Sequence, residues 1–346
     1  MAPSLPGWSG APEVFVRLPH SWCGASVDGV QRVAEAAEAL GFDGVSVQDH
    51  LLSSRGTSPC GQHHDGDDRS VLESFATLAF VAARTSRVKL VTGVLVLPYR
   101  NVFRVAQISA SIDNLSNGRL VLGVAGGWPR GTSDPVQRMR LHAELAARET
   151  DLFDPPSPRG RYLDEQIEAL DRLWQEEDAS FQGDFLAFEG VDLRPRPLRR
   201  PRPPIWVGGR AAATQRRAAL LADGWFPSQA SVEVLAAGRD SVLAHARAAS
   251  RPDPRIAVNL FVSVDRDGEA ARDVVRDGLG HRFASEAAMF GAAIAGTPAQ
   301  VLHRIREYVE AGCSAFDLKI LPLATGPTLA QVELLAREVL PAIRDA

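Results

Sequence analysis

Short apolar runs recur along this chain, each followed by a polar turn and then a stretch that is apolar on one helical face only. "EVFVRL" (13–18) is the first run. In "GVQRVAEAAEALGF", Val30, Val33, Ala34, Ala37 and Leu40 share one face, and Gly41 stands where a helix commonly ends. "GVSVQ" (44–48) predicts a second strand, "SVLESFATLAFVAARTS" a helix, and "RVKLVTGVLVLP" one long strand buried on both faces. Residues 101–115 read as helix and "RLVLGVAGG" (119–127) as the fourth strand.

The same order continues to the end. "YLDEQIEALDRLW" (162–174) puts Leu163, Ile167, Leu170 and Trp174 on one helical face. "PPIWVGG" and "DGWFP" predict strands on either side of the helix "RAAATQRRAALLA", and a helix over 231–249 precedes the strand "RIAVNLFVSV". "TPAQVLHRIREYVEAG" carries a capping box, Thr297 with Gln300, and Pro298 at the first helical position. "AFDLKILPL" is the last strand, and 328–343 the last helix.

Eight strands alternating with helices predict an α/β fold of the (β/α)8 TIM-barrel type, a single domain over 13–346 behind a flexible arm at 1–12. An open doubly wound sheet is the alternative, but neither "GVAGGW" nor "VGGRAA" has the G-x-G-x-x-G spacing of its usual nucleotide turn. Two stretches break the rhythm. Residues 129–160 form a helical insertion after strand four, with "DPVQRMRLHAELAARE" as its helix, Asp134 as cap and Val136, Met139, Ala143 and Ala146 on one face. Residues 177–202 end in "RPRPLRRPRPP" and read as an extended surface strap.

Composition narrows the function classes. A net charge of −4, with both signs spread through the chain, argues against nucleic-acid binding. No run is long and apolar enough for a membrane span, and "MAPSLPGWSGAP" lacks the basic and apolar regions of a signal peptide. Three scattered cysteines, Cys23, Cys60 and Cys313, fit free thiols in a cytoplasmic protein. Lysine occurs only at Lys89 and Lys319.

A barrel of this kind places its reactive groups on the loops after the strand C-termini. His50, after Asp49 at the end of strand two, is there either a general acid or base or a histidine that only bonds the backbone. Gly208 and Gly209, followed by Arg210, open a helix whose N-terminus could take a phosphate, or else form a plain tight turn. The polar stretch 46–70 holds Cys60, His63 and His64, which lack zinc-ligand spacing, so a substrate-facing rim is expected and no metal.

Several motifs in register, "EALGFDGVSVQDHLL", "LAFVAARTSRVKLVTGVLVLPYRN", "DNLSNGRLVLGVAGGW", "YLDEQIEALDRLW", "FQGDFLAF", "PPIWVGG" and "RRAALLADGWFP", resemble the bacterial luciferase-like superfamily, most of all its coenzyme F420 (deazaflavin) oxidoreductases. The resemblance is dense over 28–227. It implies a barrel with a flavin or deazaflavin across its C-terminal mouth, often a homodimer, acting on a small organic molecule. It also implies that His50 lies near the reactive edge of the cofactor, with Asp49 beside it, and that Thr92, Gly93 and Val94 underlie its ring system with a non-proline cis peptide at Gly93–Val94. Gly126 and Gly127 match the loop after strand four, and Gly208, Gly209 and Arg210 the phosphate loop.

The glycine pair resembles the deazaflavin branch, whereas many flavin mononucleotide (FMN) monooxygenases carry two serines there. A deazaflavin implies hydride transfer with His50 as acid or base. The flavin alternative implies a two-component monooxygenase using O2 and fed by a partner reductase, and a third alternative is a flavin-binding relative without catalysis. Where the family's sugar-phosphate dehydrogenase has a tryptophan and a glutamate, this chain has Ser54 and Trp128, so that activity does not carry over. The insertion and the 51–69 loop are expected to cover a substrate pocket lined by Trp22, His63, His64 and Trp128.

Overall fold

The computed structural model describes residues 10–21, 25–50, 71–127 and 152–344. Along these, the strands are β1 (Glu13–Arg17), β2 (Gly44–Val47), β3 (Lys89–Thr92), β4 (Leu95–Val96), β5 (Leu120–Ala125), β6 (Ala179–Gln182), β7 (Ala187–Val191), β8 (Ile205–Val207), β9 (Gly224–Trp225), β10 (Arg255–Val264), β11 (Ala293–Gly296) and β12 (Ala315–Ile320). The helices are α1 (Val27–Ala39), α2 (Ser74–Arg84), α3 (Val102–Leu115), α4 (Arg159–Gln175), α5 (Ala212–Leu221), α6 (Val232–Ala248), α7 (Gly268–Leu279), α8 (Glu286–Ala292), α9 (Pro298–Glu310), α10 (Thr325–Glu338) and α11 (Leu340–Arg344).

Eight strands, β1, β2, β3, β5, β8, β9, β10 and β12, pair in parallel in that order, and β12 returns to β1 with Glu13 opposite Ala315 and Val16 opposite Leu318. The sheet is therefore closed, and the expected (β/α)8 barrel is the fold. Alternation along each strand separates two cores. Val14, Val16, Leu318 and Ile320 point outward into the layer shared with the helices. Phe15, Val91, Val121, Trp206, Phe226, Ala257 and Ala315 fill the barrel interior. Two residues further along, the inward positions become Arg17, Ser46, Gly93, Asn259 and Asp317. The interior is thus apolar toward the strand N-termini and polar toward the C-termini.

The helix signals acted as expected. Val30, Val33, Ala34 and Ala37 of α1 are buried, and Ser26 caps the helix by accepting from the Gly29 N–H at 2.9 Å. At α9 the Thr297–Gln300 capping box is complete.

Three features depart from the pattern. The long run at 87–98 is two strands, broken at a cis peptide between Gly93 and Val94. The expected strap contains an antiparallel hairpin, β6 with β7, in which Ala179 and Phe181 turn inward and Ser180 and Gln182 outward. Its turn is held by Glu165 of α4, whose carboxylate accepts from the N–H groups of Asp184, Phe185 and Leu186 at 2.8–3.0 Å. Only after the hairpin does the chain run extended, through cis prolines 195 and 201. After β10, an excursion of α7, α8 and β11 precedes α9, and β11 pairs with the end of β10. The insertion's predicted helix lies outside the described residues.

His20, just past β1, is fully buried. Its Nδ1 lies 3.0 Å from the Leu18 carbonyl, and its Nε2 lies 2.9 Å from the Gln48 carbonyl and 3.1 Å from the Gln48 N–H. Burial, aided by Arg17 and Lys319, pushes its pKa down to about 4 against the backbone contacts, which favour the charged form. The unfolded chain therefore binds this proton first as pH falls from 6.5 to 4. The stability present above that window is progressively lost within it, by about 3 kcal/mol from this residue. Urea unfolding at pH 7 and pH 4 should show a smaller acid loss in His20→Gln than in the unsubstituted protein, and equal losses would remove His20 as a cause.

Candidate active site

The barrel interior opens at the C-terminal ends of its strands into a cavity of about 540 Å3. Gln48, Asp49 and His50 follow β2 into it, Gly93 and Val94 rise between β3 and β4, and Gly126 and Gly127 follow β5. Gly208, Gly209 and Arg210 enter after β8. A second cavity, of about 580 Å3, lies at the opposite end, where Glu13 ties together Lys89 and Arg255. In this architecture that end serves stability.

The floor of the upper cavity is a buried polar network. The Arg17 guanidinium is ion-paired with Asp317, donates from Nε to Ser46 Oγ at 2.8 Å, and donates from Nη2 to the Gly93 carbonyl at 2.7 Å. Asn259 donates to Asp317 Oδ2 at 2.7 Å, and Ser46 donates to the other carboxylate oxygen. Arginine suits this position because its planar fork serves several acceptors at once. A Cβ on Gly93 would stand 2.8 Å from Arg17 Nη2 and 2.9 Å from Asp317 Oδ2. Only a glycine lets the backbone rest on this pair.

Lys319, two residues beyond Asp317 on β12, is buried and donates to Gln48 Oε1 at 3.2 Å. Burial and the nearby Arg282 and Arg17 hold its pKa well below the usual lysine value, against the opposing pull of Asp317.

The carboxylate of Asp49 faces the segment that leaves the cis peptide. It accepts from the Val96 N–H at 2.9 Å, from Arg100 Nη2 at 2.6 Å and from Ser74 Oγ at 3.3 Å. Asp49 thereby pins the bulge, and half-buried His50 continues from it along the cavity wall. Thr92 corrects an expectation: it is fully buried and outside the cavity lining, because its hydroxyl turns into the barrel wall to donate to the Gly123 carbonyl at 2.8 Å.

Opposite the bulge, Gly208 and Gly209 lead to α5, whose N-terminal residue Ala211 supplies no side-chain cap. An uncapped N-terminus leaves its first N–H groups and partial positive charge available to an anion. Gly209 has φ +126°, and its carbonyl accepts from Trp225 Nε1 at 2.8 Å. Arg210 lies at this rim, within 3.5 Å of the Gln229 carbonyl, while Arg217 is tied to Asp164 and to the Gly160 carbonyl. A planar ring system over Gly93–Val94 with a phosphate near α5 fits these residues.

The structure therefore brings together Asp49, His50, Gly93, Val94, Gly126, Gly127, Gly208, Gly209 and Arg210. Trp22, His63, His64 and Trp128 lie outside the described residues. Among the described residues no group of three His, Cys, Asp or Glu side chains is placed to hold a metal ion. Sequence reading missed the floor: Arg17, Asn259, Asp317 and Lys319. The signal was a polar residue inside each of three otherwise apolar strand runs.

The family profile described as luciferase-like monooxygenase matches residues 6–286. The chain belongs to this family. Luciferase-like proteins similar to it differ in cofactor. It is 30% identical over 249 residues to the FMNH2-dependent dimethylsulfone monooxygenase of Pseudomonas fluorescens (strain Pf0-1), covering 72% of this chain but 61% of that relative. It is 31% identical over 256 residues to the F420-dependent glucose-6-phosphate dehydrogenase of Nakamurella multipartita, covering 70% of this chain and 66% of the relative. The fold matches that of an F420-dependent secondary alcohol dehydrogenase solved with an F420–acetone adduct, with a TM-score of 0.76, 18% identity and coverage of 97% and 100%. The family thus contains both F420-dependent and FMNH2-dependent oxidoreductases.

Proposed function

We propose that this luciferase-like protein is an F420-dependent oxidoreductase that moves hydride to or from a small organic substrate, with His50 as acid or base. The observation that carries the reading is the pairing of the Gly93–Val94 bulge with a bare, glycine-led α5 N-terminus across one cavity. Gly93 and Val94 would bear the ring system, Gly208, Gly209 and Arg210 its phosphate, and Gly126 and Gly127 the wall beside it. The glycine pair resembles the deazaflavin branch, which favours that cofactor here, and a Cβ at Gly208 would stand 3.0 Å from the Val94 side chain.

When bound, a deazaflavin supplies hydride transfer and no useful oxygen activation. The residues of the chain supply orientation and the proton. Arg17 fixes the Gly93 carbonyl from below and Asp49 fixes the strand beyond it, so the platform is set before anything binds. His50 would give a proton to the substrate heteroatom as its carbon is reduced, or take one in the reverse direction. A homodimer in the cytoplasm is part of this proposal.

The second reading, an FMNH2-dependent monooxygenase supplied by a partner reductase, is favoured by the likeness to the dimethylsulfone monooxygenases. Calorimetric titration with coenzyme F420 and with FMN separates the two. F420 binding at least tenfold tighter than FMN is expected, and the reverse preference overturns the proposal.

A further inference from the structure

The three tryptophans among the described residues are all buried, and two of them donate the indole N–H to a carbonyl: Trp174 to Ala106 at 3.0 Å and Trp225 to Gly209 at 2.8 Å. Trp206 on β8 is different. It is 3% exposed, yet its Nε1–H donates to no group among the described residues. A donor drawn this far from water ordinarily finds a partner. The nitrogen is not sealed in the interior: the small accessible part of the residue opens on the 580 Å3 cavity at the N-terminal end of the barrel. Gly224 on β9 keeps that edge clear, since a Cβ there would stand 2.6 Å from Trp206 Cδ1 and 2.9 Å from Nε1. The rest of the ring is covered by Phe15 and Phe226, with centroids 5.9 and 5.6 Å away. Phe226 lines the upper cavity, so the pair of rings partitions the two ends of the barrel.

Arg199, in the extended chain after the hairpin, brings charge to the same lining. It is half-buried, and its guanidinium makes neither a hydrogen bond nor an ion pair among the described residues. The acidic groups of the lining are committed elsewhere: Asp240 to Arg239, Asp253 to Arg247 and Asp223 to Arg202. Asp113 feels the Arg199 charge but accepts from its backbone N–H, at 2.8 Å, and not from its guanidinium. An open buried donor and an uncommitted cation thus share one concavity with room for a small organic molecule. An anion answers both groups, because an oxygen can accept from the N–H while its charge meets the guanidinium. Val121, Pro204, Leu243 and Ile256 offer apolar surface to its carbon skeleton.

We propose that this lower cavity is a second binding site, for a small organic anion, with Trp206 Nε1–H donating to the ligand and Arg199 supplying the counter-charge. The site is separate from the catalytic mouth and does not depend on which cofactor occupies that mouth.

The probe is naphthoate, with naphthamide as its neutral counterpart of the same shape, titrated into the full-length protein. The readout is the indole N–H region of the nitrogen–proton correlation spectrum of isotope-labelled protein, in which Trp206→Phe identifies the Trp206 signal by its loss. Naphthoate should move that signal saturably and leave those of Trp174 and Trp225, already bonded to carbonyls, in place. Naphthamide should need roughly 10- to 100-fold higher concentration for the same shift. Arg199→Gln, a change at a half-buried position, should abolish most of that preference while the rest of the spectrum stays native. Calorimetry should give the same naphthoate affinity with and without saturating F420 or FMN, whichever binds. A Trp206 signal that naphthoate does not move, equal titration by naphthoate and naphthamide, or a preference untouched in Arg199→Gln overturns the site. Displacement of naphthoate by the cofactor would place the probe in the catalytic mouth and overturn it as well.

Discussion

Asp317→Asn should destabilise the protein by roughly 3–5 kcal/mol, because removing one partner leaves a buried charge uncompensated. Asp317 is fully buried, and Arg17 is 3% exposed. The asparagine keeps the shape but cancels the negative charge that Arg17 faces and that opposes the crowding of Lys319 by its cationic neighbours. The double substitution Arg17→Met with Asp317→Leu should cost much less than the sum of the two single changes, since it removes both charges together. Urea unfolding at pH 7 measures all of these. A loss below about 1 kcal/mol for Asp317→Asn would mean that the pair is far better hydrated than its burial implies.

His50→Ala should lower turnover by roughly 10²- to 10⁴-fold, the usual worth of a positioned acid or base. Affinity for the cofactor should stay within about twofold, because the bulge and the α5 N-terminus do not depend on His50. Steady-state turnover together with a cofactor titration separates the two effects. Turnover that survives the substitution would remove the proton-transfer role, and a parallel loss of cofactor binding would recast His50 as part of the cofactor cradle.

The barrel was legible in the sequence because its outward positions are apolar without exception along β1, β2, β10 and β12, and a helix with one apolar face follows most strands. The glycine loops and Asp49–His50 were legible because they fall directly at strand ends. The break at Gly93 was not legible from periodicity, since apolar residues continue on both sides of it, and the resemblance alone supplied it. The hairpin at β6–β7 was obscured by the proline-rich stretch that follows, and its turn depends on Glu165, which is distant in sequence. The cavity floor escaped for a similar reason: Arg17 and Asp317 are 300 positions apart, and neither marks a site until the barrel closes.

That closure has a consequence for how the protein is made. The first strand of the barrel carries Arg17 and the last carries Asp317, so a nascent chain holds half of a fully buried ion pair until the 300 positions that separate them have been made. Until then β1 and β10 both present open edges, since β12 is the strand that joins them. An open parallel edge beside an unpartnered arginine invites mispairing, and contacts this distant in sequence form slowly. Overexpression should therefore fail by aggregation of incomplete barrels, and slowing synthesis or supplying a chaperone should raise the yield of folded protein more than any change at the catalytic mouth.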